Sequence, residues 1–118
     1  MNRIKQHIKS YRYSFRGIWL AFRYESVMLF HLAAAIAVIT VNSLLKVTRT
    51  DWLITLILIA MAWAAEIFNT AIEKLADRVT KEQDSSIGQV KDLASGAVLV
   101  ICIFAVICAV IIYWPYLR

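Results

Sequence analysis

Three apolar stretches constrain this chain more than any other feature: Val27 to Leu45, Trp52 to Ile72 and Leu93 to Trp114. Each is as long as a bilayer crossing, which takes about 20 residues. The first is broken only by His31, Thr40, Asn42 and Ser43. The second carries Glu66 and Asn69, and the third is uncharged and stopped by Pro115. Hydrophobic residues make up 61% of the 118 and charged residues 18%, whereas a soluble domain runs at about 45–50% and about 25%. Three glycines and one proline also exclude a turn-rich all-β design. The expected fold is an all-α membrane protein over 1–118, with an N-terminal amphipathic interfacial helix (1–25) and three transmembrane helices (27–45, 52–72 and 93–114).

The segment before the first span has its own pattern. Ile4, Ile8, Tyr11, Phe15, Ile18 and Phe22 recur at steps of four and three, and Lys5, Lys9, Arg12, Arg16 and Arg23 form a second stripe beside them. Such a helix lies in the headgroup plane with its basic stripe toward anionic lipid, or packs its apolar stripe on the bundle. Six basic residues precede span one, two follow it, four separate spans two and three, and one ends the chain. That asymmetry predicts a cytoplasmic N-terminus and second loop. The net charge of +5 then points to anionic headgroups and phosphorylated ligands, with no nucleic-acid partner. Cys102 and Cys108, six apart in one apolar run, are poorly placed to bridge and read as packing or lipid-facing residues.

Chemistry concentrates in span two. Glu66, Asn69, Glu73 and Asp77 follow one another at three, four and four residues and so share one helical face. An ionisable residue inside a span costs a few kcal/mol and is rarely kept without a role. Glu66 lies about 10 Å along the axis from Glu73, a depth at which a lipid hydroxyl can reach it and give up a proton. Interhelical hydrogen bonding is the simpler account for Asn69 alone, but it does not explain the whole stripe. Glu25 at the start of span one and Lys91-Asp92 at the start of span three fall at the same membrane edge. Carboxylates with few other ligands suit Mg²⁺, which keeps waters and takes phosphate oxygens, and a lysine beside them offsets phosphoryl charge. No GxxxxGK[ST] or GxGxxG loop occurs; glycines stand only at 17, 88 and 96. Between spans two and three, Asp84-Ser85-Ser86 followed by Gly88 reads as a turn in a short polar loop from Thr80 to Gln89.

The run Ala65-Glu66-Ile67-Phe68-Asn69-Thr70-Ala71-Ile72-Glu73, continuing to Asp77-Arg78, resembles the signature of the prokaryotic diacylglycerol kinases. Gly88-Gln89-Val90-Lys91-Asp92-Leu93-Ala94-Ser95-Gly96-Ala97-Val98-Leu99 resembles the start of that family's third helix. The likeness extends over essentially the whole chain. It implies a small, homotrimeric lipid kinase of the bacterial plasma membrane that moves the γ-phosphate of MgATP to a lipid hydroxyl at the cytoplasmic face. By resemblance, Glu66 matches the catalytic base and Asn69 a neighbouring active-site group. Glu25 and Glu73 match the Mg²⁺ carboxylates, and Lys91 and Asp92 the nucleotide-binding pair. Gly88 falls in the loop approaching ATP, and Ser95 near the lipid site, with the site shared between subunits. Val90, Leu29 and His31 depart from the commonest pattern. A histidine at position 31 resembles relatives that phosphorylate undecaprenol, so the lipid alcohol is diacylglycerol or undecaprenol. A proton-coupled cation carrier built on Glu66 is the alternative from another functional class.

Overall fold

The computed structural model describes residues 2–118; Met1, the first residue of the expected interfacial segment, lies outside the described residues. Four helices account for nearly all of the described residues: α1 (Arg3–Tyr24), α2 (Ser26–Leu45), α3 (Arg49–Val79) and α4 (Ser85–Tyr113), followed by a short 3₁₀ turn at Trp114–Tyr116. α2, α3 and α4 are each long and apolar enough to cross a membrane.

The boundaries have local causes. Asn2 caps α1 by accepting from the Lys5 amide at 2.9 Å. α1 and α2 are separated by one residue, Glu25, whose extended backbone (φ −106°, ψ 114°) breaks the helix. α2 ends in a tight turn. Lys46 adopts the left-handed conformation (φ 51°), and the amides of Lys46 and Val47 both return to the Asn42 carbonyl. Thr48 then caps α3 through the Asp51 amide at 3.1 Å. Pro115 sits in the 3₁₀ turn that closes α4.

Two helices outrun the apolar stretches. α3 has 31 residues and is therefore about 46 Å long at 1.5 Å per residue, half as long again as a hydrocarbon core of about 30 Å. α4 begins at Ser85, so the turn expected at Ser85–Gly88 is helix and the connection shrinks to Thr80–Asp84. The reason is Asp84, whose carboxylate accepts from the amides of Ser86 (2.9 Å) and Ile87 (3.1 Å). An N-cap that satisfies two orphan amides outweighs the turn preference of a lone glycine. Gly88 takes no left-handed conformation.

α3 packs chiefly on α4 and next on α2, while α1 makes smaller contacts with α2 and α3. Near the end of α1, Ala21 is buried, and the Phe22 ring meets Trp63 edge-on with centroids 5.0 Å apart. The rest of the α1 apolar stripe, from Ile4 to Phe15, is exposed, so it does not pack on this chain's bundle. The interior is inverted relative to a soluble domain. His31, Asn42, Thr55, Glu66, Asn69 and Thr70 are buried, while Leu44, Leu93 and Ile111 are among many large apolar side chains facing outward. Water would penalise that arrangement heavily, whereas hydrocarbon favours it.

At the bundle end away from Glu66, three helices share one polar cluster. Asn42 is wholly buried. Its Nδ2 donates to Thr55 Oγ1 at 2.9 Å, and its Oδ1 accepts from the Tyr113 hydroxyl. Thr55 in turn donates to the Asp51 carbonyl at 2.9 Å.

Candidate active site

The polar stripe on α3 is graded. Glu66 is 6% exposed, and Asn69 and Thr70 are buried with it, whereas Glu73 and Asp77, one and two turns further on, are exposed. Asn69 Nδ2 donates to Glu73 Oε1 at 3.3 Å. Asn69 Oδ1 is buried and has no hydrogen-bond partner among the described residues, an exception among buried polar atoms that marks a place for a further donor or cation.

Neighbouring helices bring charge to the same end. On α2, His31 is buried and its Nε2 lies 3.9 Å from Glu66 Oε2. Glu25, in the α1–α2 junction, forms an ion pair with Lys74 at 3.6 Å. On α4, Lys91 Nζ pairs with Asp77 Oδ1. Glu25 and Glu73 both lie within electrostatic reach of Glu66. Three carboxylates thus share one small region, and the lysine paired with Glu25 extends into solvent.

The donor set fits Mg²⁺. Among the described residues no three carboxylate, histidine or cysteine side chains converge as a ready metal cage, but Mg²⁺ does not ask for one. It binds through one or two carboxylates and completes its shell with water and phosphate oxygens. Glu25 and Glu73 supply hard oxygen donors, and the orphaned Asn69 oxygen beside Glu73 adds a polar group that a hydrated cation can satisfy.

Not every residue singled out from the sequence joins this group. Gly88 lines a surface depression of about 510 Å³ with Thr80–Asp84, Ser85 and Ile87, and Lys91, through its pairing with Asp77, links that depression to the α3 stripe. Gly88 stands there in the first turn of α4 rather than in a loop. Asp92 and Ser95 are exposed on α4 and make no side-chain hydrogen bond or ion pair among the described residues. Leu29 faces outward.

Some participants escaped the sequence reading. Trp63 donates its indole N–H to the His31 carbonyl at 3.3 Å, fixing α2 against α3 one turn before Glu66. Its signal was its place three residues from Glu66 on the same face, with a donor that a helix cannot satisfy internally. Lys74 counted only toward orientation, yet it pairs with Glu25. Beyond His31 an apolar cleft of about 320 Å³ runs between α2, α3 and α4 toward Thr55 and Tyr113, with Cys102 and Cys108 both on its wall and free.

The profile of the prokaryotic diacylglycerol kinase family matches residues 12–113. The chain belongs to that family. The undecaprenol kinase of Bacillus subtilis (strain 168) is 34% identical over 116 residues, covering 98% of this chain and 94% of the relative. The diacylglycerol kinase of Escherichia coli (strain K12) is 36% identical over 115 residues, covering 92% and 89%. The diacylglycerol kinase of Haemophilus influenzae is 28% identical over 107 residues, covering 91% and 86%. As a member of the prokaryotic diacylglycerol kinase family the chain is an enzyme, a lipid kinase, and a multi-pass membrane protein. The carrier alternative has no support in these relationships.

Proposed function

We propose that the protein transfers the γ-phosphate of MgATP to the hydroxyl of a membrane lipid alcohol, diacylglycerol or undecaprenol, at the membrane edge marked by Glu25, Glu66 and Glu73. The observation that carries this reading is the graded stripe on α3, with a buried Glu66 joined through Asn69 to an exposed Glu73. A lipid hydroxyl approaches from the membrane and a nucleotide from water, and the stripe spans the depth between them.

In the proposed step the lipid oxygen attacks the γ-phosphorus, the bond to the β,γ-bridging oxygen breaks, and ADP departs. Glu66 takes the hydroxyl proton as the new P–O bond forms. Lys91, held by Asp77 in the free protein, turns to the nucleotide phosphates, where a cation stabilises developing charge. Asp92 and Gly88 complete the nucleotide side, and Ser95 lies by the lipid. Glu25 and Glu73 would hold Mg²⁺, which supplies screening of phosphate charge. Phosphoryl transfer asks mainly for positioning and electrostatics, so a few side chains on helix faces suffice without a phosphate loop.

Asp92 and Ser95 lie exposed on α4 in the single chain, and its flanks are apolar. Both features support a homotrimer in which adjacent subunits complete each site. The distribution of basic residues supports a plasma-membrane enzyme with the N-terminus and site on the cytoplasmic side.

The test is a kinase assay on the purified protein in mixed micelles, with MgATP and each alcohol offered separately. Phosphatidic acid identifies a lipid-recycling enzyme, and undecaprenyl phosphate a kinase of the cell-envelope carrier. Glu66→Gln keeps the shape and removes the base, and should lower kcat by about 10²–10⁴-fold with little change in nucleotide KM. Near-normal turnover would overturn the assignment of Glu66.

A further inference from the structure

We propose that His31 is a positioning residue for the transfer: its imidazole hydrogen-bonds the Glu66 carboxylate in the working complex and holds it aimed at the lipid hydroxyl. This rests on the reading of Glu66 as proton acceptor and adds to it a residue that acts only through Glu66.

Both side chains are 8% exposed, and their facing atoms, His31 Nε2 and Glu66 Oε2, are 3.9 Å apart. An N–H···O bond needs about 2.9 Å, so closing the pair takes a movement of about one ångström. Catalytic hydrogen bonds are commonly long in the free enzyme and tighten when substrate arrives. The rest of His31 is already fixed. Trp63, on the turn of α3 preceding Glu66, donates to the His31 carbonyl at 3.3 Å, which sets the height of the imidazole relative to the carboxylate. The Phe30 ring flanks it edge-on, with centroids 6.1 Å apart.

A free carboxylate on a long side chain samples several rotamers, and a misplacement of about 1 Å can cost about 10²-fold in rate. On the far side of His31 lies the apolar cleft. The contact is therefore shielded from water, where a hydrogen bond to a charged acceptor is strongest. Glu73 and Glu25 cannot serve as anchors for Glu66, since like charges repel. Asn69 can divide the two N–H groups of its amide between Glu73 and Glu66 and so steadies the carboxylate from within α3, while His31 is the donor that faces it from α2.

The competing account is that the pair only joins α2 to α3. His31→Leu, His31→Gln, Glu66→Gln and the double variant Glu66→Gln/His31→Leu separate the two in the full-length enzyme. Each is assayed with MgATP and whichever alcohol the wild type phosphorylates, and its thermal unfolding is followed in the same micelles. The expected result is a kcat for His31→Leu about 10- to 100-fold below wild type, with nucleotide KM unchanged. His31→Gln, which restores an N–H near the same place, should recover to within a few-fold. The double variant should be no slower than Glu66→Gln alone, because a residue that acts through Glu66 has nothing to position once the base is gone.

Wild-type turnover in His31→Leu overturns the proposal. So does a His31→Gln variant as slow as His31→Leu, or a double variant slower by the full product of the single effects. Loss of rate that follows only the unfolded fraction assigns His31 to the helix contact. Failure of the underlying reading looks different, since Glu66→Gln itself would then turn over normally.

Discussion

The cluster of Asn42, Thr55 and Tyr113 is the place where the energetics of this bundle can be worked most directly. Tyr113→Phe deletes one hydroxyl and leaves Asn42 Oδ1 without its partner. Interhelical hydrogen bonds in membranes contribute about 0.6 kcal/mol on average and about 1.7 at most. Asn42→Ala removes both the Tyr113 bond and the 2.9 Å bond to Thr55, so twice that range, about 1.2–3.4 kcal/mol, is expected. The void left by a wholly buried side chain adds to this. The double variant should be less destabilised than the sum of the singles, by a coupling of about 0.6–1.7 kcal/mol, because each removes the same shared bond. The assay is reversible unfolding by SDS in mixed micelles, followed by far-UV circular dichroism. A coupling within about 0.3 kcal/mol of zero is additive behaviour and would refute the reasoning. Tyr113 is 22 residues from Lys91 on the same helix, about 33 Å along its axis, so kcat per folded enzyme should stay unchanged in all three variants.

Three further outcomes are expected. Glu73→Gln keeps an oxygen that can accept from Asn69 and sits on an exposed position, so stability should hold. The Mg²⁺ concentration for half-maximal activity should rise about tenfold or more, as for a lost interaction of about 1.4 kcal/mol; an unchanged Mg²⁺ titration argues against its role as a ligand. Lys91→Met breaks a rim ion pair that contributes less than about 1 kcal/mol to stability. It should nevertheless raise nucleotide KM roughly 10- to 100-fold, the scale of a hydrogen bond from a charged donor, and the reverse pattern contradicts the assignment. Phe22→Ala removes an edge-on contact of about 0.5–1.5 kcal/mol, so tryptic cleavage at Arg23 in micelles should accelerate by roughly 2- to 12-fold. Wild-type cleavage would mean that α1 is held by contacts other than this one.

The helices were legible in the sequence because their causes are local. Apolar runs of crossing length, the three-and-four spacing of Glu66, Asn69, Glu73 and Asp77, and the position of Glu25 between two helical patterns are all read within one segment. The error at Ser85–Gly88 was also local: two competing signals, an N-cap and a turn glycine, lay within five residues, and the cap prevailed. What escaped was long-range. Asn42 and Tyr113 are 71 residues apart and Trp63 and His31 are 32 apart, and no periodicity announces that a particular hydroxyl or indole will meet a particular acceptor. The same holds within the site. The stripe on α3 identified itself, but the pairings of Glu25 with Lys74 and of Lys91 with Asp77 depend on how three helices are docked.

The absence of a phosphate loop follows from the same physics as the inverted interior. A glycine-rich loop grips phosphate with free backbone amides, and a helix inside a bilayer has none to give, since every N–H there is committed to the carbonyl four residues back. Recognition within the membrane must therefore be made by side chains. These can be retained only where they are paired or where the helix leaves hydrocarbon. The α3 stripe meets both conditions in sequence: Glu66 faces His31 at depth, Asn69 bridges to Glu73, and Glu73 and Asp77 reach water beyond the apolar stretch. On the proposed reading, the excess length of α3 over a bilayer crossing is what lets one continuous helix carry a proton acceptor for a lipid and charged groups for a nucleotide. Shortening that helix by one residue between Glu66 and Glu73 would turn the two halves by about 100° relative to one another. Catalysis should then be lost while both the helix and the fold persist.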